Sequence, residues 1–265
     1  MTASETLWSN WAWPAATALL GLVFAGLVLA QWLSRRKTHQ LLWSIGLLMY
    51  AVAAVMEAVS EGTGHWDALV YRFYIVLAAS LVGFLGAGSF YLLSRKNFWP
   101  RVYLGFTIAC VIIFLAGTLT ARLDTASLVP GITVGGRALG SSLSFPRVMS
   151  LAFNIPGTIF LLGGAVVSVW RFARKREYAY RMWANVLIAG GTAVIAATGA
   201  RARAGVTLGL YPAEMVASAL LLAGFLLAGT LDKGARQAAA SRAAVSKEPA
   251  SDEPGSGETS DSYSA

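Results

Sequence analysis

The sequence predicts an all-α, polytopic membrane protein with seven transmembrane helices, and three observations lead to this fold class. The chain is 56% hydrophobic and only 13% charged, which is unusual for a soluble domain of this length. Seven apolar segments are each long enough for the roughly 20 residues that a helix needs to cross a bilayer. Lysine and arginine are concentrated in alternate loops, as expected when those loops face the cytoplasm.

The predicted membrane domain covers residues 11–231, after a short extracytoplasmic N-terminus at residues 1–10. The first span lacks a preceding basic segment and is followed by Arg35-Arg36-Lys37, so we expect an anchored helix and not a cleaved signal peptide. Residues 122–145 form a long outer loop, in which 132–139 is either a small hairpin or irregular. Residues 232–265 form a cytoplasmic tail that is mostly disordered, since its composition cannot bury a core. The seven predicted spans are 11–33, 41–60, 68–93, 100–121, 146–170, 181–200 and 210–231.

The orientation follows from the sides on which the basic residues fall. Fifteen of the 21 lysines and arginines lie in three alternate loops and the C-terminal stretch. The excess of positive charge predicts that these segments are cytoplasmic, with the N-terminus outside and the C-terminus inside. The net charge of +8 is thereby explained without nucleic acid. The six basic residues on the other side are Arg72, Arg122, Arg137, Arg147, Arg201 and Arg203.

An internal repeat is predicted from four matches at nearly constant spacing. Trp43 and Tyr71 recur 140 residues later as Trp183 and Tyr211, Gly83-Phe84-Leu85 recurs as Gly224-Phe225-Leu226, and Pro14 matches Pro156. Residues 11–93 and 146–231 would then be two three-helix units. The helix at 100–121 would link them, because an odd number of helices needs one more span to keep both copies in one orientation.

Polar residues inside the predicted spans gather in the outer half of the membrane. Such residues are costly in a bilayer and commonly functional. One interpretation is an outward-facing pocket for a small molecule or lipid headgroup. The other is that these groups are interfacial and pair with each other to fix helix ends, as in Glu61–Arg201 or Glu57–Arg72. The ligand-binding candidates are Glu57, Tyr71, Arg72, Ser150, Asn154, Thr158, Tyr211 and Glu214.

Several chemistries are excluded by missing residues. Cys110 is the single cysteine, which rules out an internal disulfide and a cysteine-based metal cluster. His39 and His65 are both predicted in loops, so no intramembrane histidine pair can hold haem. The seventh span has no lysine before Lys233 for a retinal Schiff base. We therefore predict no cofactor, no metal ligand and no assigned catalytic residue.

Three functions remain as hypotheses. The first is a membrane protein that binds or passes a small polar or amphipathic ligand from the outer side. The alternative is a non-catalytic partner or sensory subunit, with structural ion pairs and basic cytoplasmic loops that dock a protein. The third is a lipid-modifying enzyme, which could use only carboxylate chemistry at Glu57 or Glu214.

The sequence resembles two groups of known membrane proteins. The 3+1+3 helix plan with an external N-terminus resembles that of SWEET and PQ-loop transporters, over about residues 11–231, which implies a central pathway between the two units. The segments Tyr71-Arg-Phe-Tyr-Ile, Gly83-Phe-Leu-Gly-Ala-Gly and Asn154-Ile-Pro-Gly are similar to those of uncharacterised bacterial seven-helix membrane proteins. That likeness implies a location in the bacterial inner membrane and no particular activity.

Overall fold

The fold is that of a computed structural model, which describes residues 3–129, 136–141, 143–173, 179–204, 206 and 209–245. Residues Met1–Ala228 form one compact unit and Gly229–Ala265 a second. The packing described below concerns the first unit. The described residues form seven long helices: α1 Ala3–Arg35, α2 Thr38–Thr63, α3 Ala68–Leu93, α4 Phe98–Thr120, α5 Phe145–Ala173, α6 Ala179–Ala204 and α7 Leu210–Val245.

The prediction of seven membrane-spanning helices is confirmed. Each of the seven contains a segment of 19 to 26 residues that is long and apolar enough to cross a bilayer. Many large apolar side chains are exposed along these segments, as lipid contact requires. The chain is therefore a multi-pass membrane protein. Its orientation and its 3+1+3 repeat stay predictions.

The seventh helix is longer than the sequence analysis predicted. The sequence predicts that this helix ends at Leu231 and that a mostly disordered tail follows, whereas α7 continues to Val245. The added residues are rich in alanine, which has the highest helix propensity of all residues. Composition that cannot bury a core can thus still favour a helical backbone. Residues 246–265 lie outside the described residues.

The predicted outer loop contains two short 3₁₀ turns, Thr125–Ser127 and Arg137–Leu139. Its predicted hairpin falls largely on residues 132–135, outside the described residues, while its end at Arg137–Leu139 is helical. The two turns are joined by a hydrogen bond from the Asp124 backbone N–H to the Ala138 carbonyl oxygen (2.9 Å). Ala138 is fully buried, so this part of the loop packs onto the bundle.

Helices α3 and α5 cross at glycines. A Cβ atom on Gly86 would lie 2.5 Å from both Cα and the carbonyl oxygen of Gly157, so neither position has room for a side chain. Small residues of this kind permit close helix contact where lipid supplies no hydrophobic drive for association. Gly191 and Gly224 serve the α6–α7 contact in the same way, against Ala217 and Ala184.

Of the residue pairs matched by the predicted repeat, one pair has similar burial in the structure and another does not. Tyr71 and Tyr211 are both buried. The Trp43 indole N–H donates to the Leu85 carbonyl oxygen (3.2 Å), whereas Trp183 is 59% exposed. A repeat in sequence therefore does not impose the same contacts on both copies.

Candidate functional site

Polar residues of α2 and α7 face each other because of their spacing. Tyr50, Glu57 and Glu61 are separated by seven and four residues, which places them on one face of α2. Tyr211, Glu214 and Ser218 are separated by three and four residues on α7. Together with Tyr74 of α3 they form a group that we call the carboxyl–tyrosine cluster. Its members are Tyr50, Glu57, Glu61, Tyr74, Tyr211, Glu214 and Ser218.

Two buried carboxyl groups each accept a short hydrogen bond from a tyrosine. The Tyr74 hydroxyl donates to Oε1 of Glu57, and the Tyr211 hydroxyl donates to Oε1 of Glu61, both at 2.5 Å. Glu57 is 4% exposed and Glu61 2%. Charge-assisted bonds of this length are stronger than neutral ones, and they offset part of the cost of burying a carboxylate. The first bond joins α2 to α3 and the second joins α2 to α7.

Tyr50 extends the cluster deeper into the bundle. Its hydroxyl lies 2.8 Å from Oγ of Ser218 and donates to the Glu214 carbonyl oxygen at 3.3 Å. Tyr50 is thirteen residues from the end of α2 at Thr63, or about 20 Å along the helix axis at 1.5 Å per residue. The cluster therefore spans from one end of the bundle to about the middle of the membrane.

Glu57 and Glu61 lie one turn apart on α2, so their carboxyl groups are neighbours on one helix face. Glu214 joins them from α7, where its carbonyl oxygen accepts a hydrogen bond from the Tyr50 hydroxyl. Like charges are unfavourable neighbours at low dielectric constant, which makes this arrangement costly. The tyrosine hydroxyls that donate to Glu57 and Glu61 offset part of that cost. Among the described residues, no three His, Cys, Asp or Glu side chains are placed to hold a metal ion.

Arg72 does not belong to this cluster. Its guanidinium donates to the carbonyl oxygens of Thr118 and Ala121, the latter at 2.8 Å, and so binds the C-terminal end of α4. Within the described part of the chain Glu57 and Arg72 do not pair, so that predicted ion pair is wrong. The physical reason is that the last carbonyls of α4 lack helical partners and attract a cation.

The polar stripe of α5 is bonded largely to its own helix. Asn154 Nδ2 donates to the Ser150 carbonyl oxygen (2.8 Å), and Ser150 Oγ donates to the Arg147 carbonyl oxygen (2.9 Å). Thr158 is half-buried. The structure therefore brings Glu57, Tyr211 and Glu214 together, and it leaves Ser150 and Asn154 in contacts along α5.

Two further predicted residues have their own environments. Tyr71 is fully buried, with its ring 5.7 Å from Trp66 and 6.1 Å from Tyr74 between ring centroids. It packs with Ala138 and Leu139 in one apolar cluster. Arg201 is exposed near the end of α6, and its pairing with Glu61 stays a prediction.

Part of the segment between α4 and α5 packs beside the cluster. Ala138 and Leu139 are buried in one apolar cluster with Tyr71 and Tyr74, and Tyr74 donates to Glu57. Two surface cavities, of about 530 and 380 Å³, lie elsewhere, and no candidate residue lines either. The larger lies between α4 and α5, and the smaller between α1 and α2. Neither of these two cavities is the outward-facing pocket predicted around Glu57 and Asn154, and that pocket stays a prediction.

Tyr50, Tyr74 and Ser218 are not among the ligand-binding residues that the sequence predicts. Tyr50 shares a helical face with Glu57, and Ser218 shares one with Glu214, so the spacing along each helix was an available signal. Tyr74 carries no such signal, because its contact with Glu57 depends on the rotation of α3 against α2.

Fold and site together define a seven-helix, multi-pass membrane protein with a buried carboxyl–tyrosine cluster between α2, α3 and α7. Comparison of the chain with protein-family models, curated proteins and solved structures found no match. The two resemblances stay interpretations of the sequence.

Proposed function

We propose that this protein binds a small polar or amphipathic ligand at the carboxyl–tyrosine cluster, entering from the end of the bundle where α2 ends and α7 begins. The observation that carries the proposal is the pair of buried carboxyl groups of Glu57 and Glu61, which accept hydrogen bonds from tyrosines of two other helices. Glu214 of α7 belongs to the same cluster through the contact of its backbone with Tyr50. Ionisable groups inside a membrane protein are expensive, and they commonly mark a ligand or ion pathway.

The chemistry of the cluster favours a ligand that donates hydrogen bonds. An ionised carboxylate only accepts hydrogen bonds, and each has more acceptor sites than one tyrosine can fill. A ligand with an ammonium group or several hydroxyls would meet this need. It would also offset the repulsion between Glu57 and Glu61 if it carried positive charge.

Access beside Tyr74 would require movement of the turn at Arg137–Leu139, which packs with Tyr71 and Tyr74. This turn is flanked by Gly136 and Gly140, whose φ angles are 81° and 93°. Only glycine adopts such angles at no cost, so both ends of the turn occupy conformations reserved for it. On the opposite side, Phe24 and Phe225 meet at a centroid distance of 5.1 Å beside Leu47. This apolar contact favours binding over passage in the present conformation.

The predicted orientation supports entry from outside the cell. Positive charge in the alternate loops favours an external N-terminus. Helix α2 would then end outside and α7 would begin there, with the cluster in the outer half. We propose accordingly that the protein lies in the cell membrane with its C-terminus in the cytoplasm.

A thermal-shift screen of small polar compounds on the purified protein tests the proposal. A true ligand should raise the melting temperature of the wild type and lose most of this effect in Glu57→Gln and Glu214→Gln. Asn154→Leu is the matched control, because Asn154 bonds within α5. A compound that stabilises both carboxyl variants as much as the wild type would remove these residues from the site. The cluster loses its proposed role if no compound in a broad cationic and polyol screen stabilises the wild type.

A structural role is the second candidate, and one observation favours it. The hydroxyls of Tyr50, Tyr74 and Tyr211 all have partners within the protein, and they join α2 to α3 and α7. In that case the protein is a non-catalytic partner or sensory subunit, and Glu57→Gln would change stability without changing any binding.

A further inference from the structure

Six basic side chains lie at the end of the bundle opposite the carboxyl–tyrosine cluster, where α2 begins, α3 ends and α4 begins. All six are exposed. We call this surface the basic end. Its members are Arg35, Arg36, Lys37, Arg95, Lys96 and Arg101.

Helix packing brings the two loops that carry these charges side by side. Trp43, in the second turn of α2, packs on Gly88 near the end of α3, and a Cβ atom there would lie 2.5 Å from the indole. Leu42, Ala87 and Tyr103 form one buried cluster between α2, α3 and α4. The loop at 35–37 and the loop at 94–97 therefore lie at neighbouring helix ends, and Arg101 follows in the first turns of α4.

The charges of the basic end are not balanced by acidic side chains that the structure describes. The structure describes five acidic side chains, and all of them lie in the opposite half of the bundle: Glu57, Glu61, Asp67, Asp124 and Glu214. The helices α2 and α4 both begin here without a side-chain cap, so their dipoles add to the positive potential. The basic end therefore attracts anions strongly.

Exposed aromatic rings place this surface at the level of lipid headgroups. Phe98 and Trp99 are 65% and 64% exposed, with ring centroids 5.4 Å apart, at the start of α4. The Arg36 guanidinium lies 4.8 Å from the centre of the Trp32 ring. Tryptophan favours the membrane–water interface. Cations beside such rings can reach phosphates of the same leaflet.

We propose that the basic end binds the headgroup phosphates of anionic phospholipids, with Arg95, Lys96 and Arg101 as the principal contacts. Arginine matches phosphate oxygens with two parallel N–H donors, and lysine adds a point charge. Basic residues next to a membrane attract anionic lipid by about 1 kcal/mol each. The location at the bilayer surface selects lipid phosphate over free phosphate, because the lipid is already concentrated there.

Native mass spectrometry of the full chain, released from detergent with added lipid, measures this binding. Phosphatidylglycerol should be retained on the wild type in preference to phosphatidylcholine. Arg95→Gln/Lys96→Gln should weaken phosphatidylglycerol binding about thirtyfold. The charge-matched control is Arg122→Gln/Arg137→Gln, two exposed arginines at the opposite end. That control should bind phosphatidylglycerol like the wild type.

Specific outcomes would overturn the proposal. Equal retention of the two lipids would show that the basic end does not select anionic lipid. Equal weakening in both double variants would show that binding depends only on the overall charge of the protein. Displacement of phosphatidylglycerol by inorganic phosphate at equal concentration would show that lipid is not selected. Binding of a soluble acidic peptide in place of phosphatidylglycerol would make the basic end a protein-docking surface. If Arg95→Gln/Lys96→Gln does not fold, Arg101→Gln alone should weaken binding by about fivefold.

Discussion

The Tyr74 hydroxyl donates a 2.5 Å hydrogen bond to Oε1 of Glu57, between two side chains that are each at least 96% buried. This bond joins α3 to α2 about 9 Å from the end of α2, at 1.5 Å per residue. It lies where neither water nor lipid can replace the donor. A buried acceptor that loses its donor pays the full desolvation cost, so the bond is an effective target for mutation.

Removing the Tyr74 hydroxyl should destabilise the protein. We expect Tyr74→Phe to lower the free energy of unfolding by about 1–3 kcal/mol, because Glu57 is left buried with one partner fewer. Thermal unfolding in detergent measures the change. Tyr91→Phe is the control, since the described structure shows no hydrogen bond from the Tyr91 hydroxyl. Similar losses in both variants would contradict the role of the Tyr74–Glu57 bond.

The contact between Glu61 and Tyr211 should appear as coupling in a double-mutant cycle. Glu61→Gln and Tyr211→Phe share one hydrogen bond, so their effects on stability should be non-additive by about 0.5–3 kcal/mol. Steric trapping in bicelles can measure the four unfolding free energies. A cycle of Glu61→Gln with the distant Tyr91→Phe should be additive. Additivity in the first cycle would show that α2 and α7 are not joined by this bond.

Gly157 should tolerate no side chain. A Cβ atom there would lie 2.6 Å from the Val82 carbonyl oxygen, which is backbone and cannot turn aside. We expect Gly157→Ala to cost about 1–3 kcal/mol or more by overpacking the α3–α5 crossing. Gly163→Ala, in the same helix, has no atom within 4 Å and should be neutral or stabilising by up to about 1 kcal/mol. Equal changes in the melting temperatures of the two variants would contradict the close crossing of α3 and α5.

Arg72 should stabilise the end of α4 and not the carboxyl–tyrosine cluster. We expect Arg72→Gln to lower stability by about 1.5–3 kcal/mol, because two backbone carbonyls lose a charged donor. Hydrogen exchange should rise in residues 115–121 and stay unchanged around Glu57. The exposed Arg122→Gln should have little effect. Increased exchange at Glu57 alone would restore the predicted Glu57–Arg72 pair.

The sequence predicted the number of helices and most of their bounds, because hydropathy alone decides which segments a bilayer accepts. It also singled out Glu57, Tyr211 and Glu214, since polar residues in apolar spans are conspicuous. Their ligand-binding role, like that of Ser150 and Asn154, stays a prediction. Spacing showed that Ser150 and Asn154 share a face, but it could not show that each bonds to its own helix.

The sequence by itself determined the membrane class, the seven spans and the side of the bundle to which the buried acidic residues belong. All of these depend on composition along one chain, read against the thickness of a bilayer. Only the tertiary structure decided that Tyr74 and Tyr211, and not Arg72, contact the buried carboxyls. It also decided that Ala138 and Leu139 pack in the apolar cluster that contains Tyr74. Those choices depend on the rotation and crossing of α2, α3 and α7, which are set by close packing between helices.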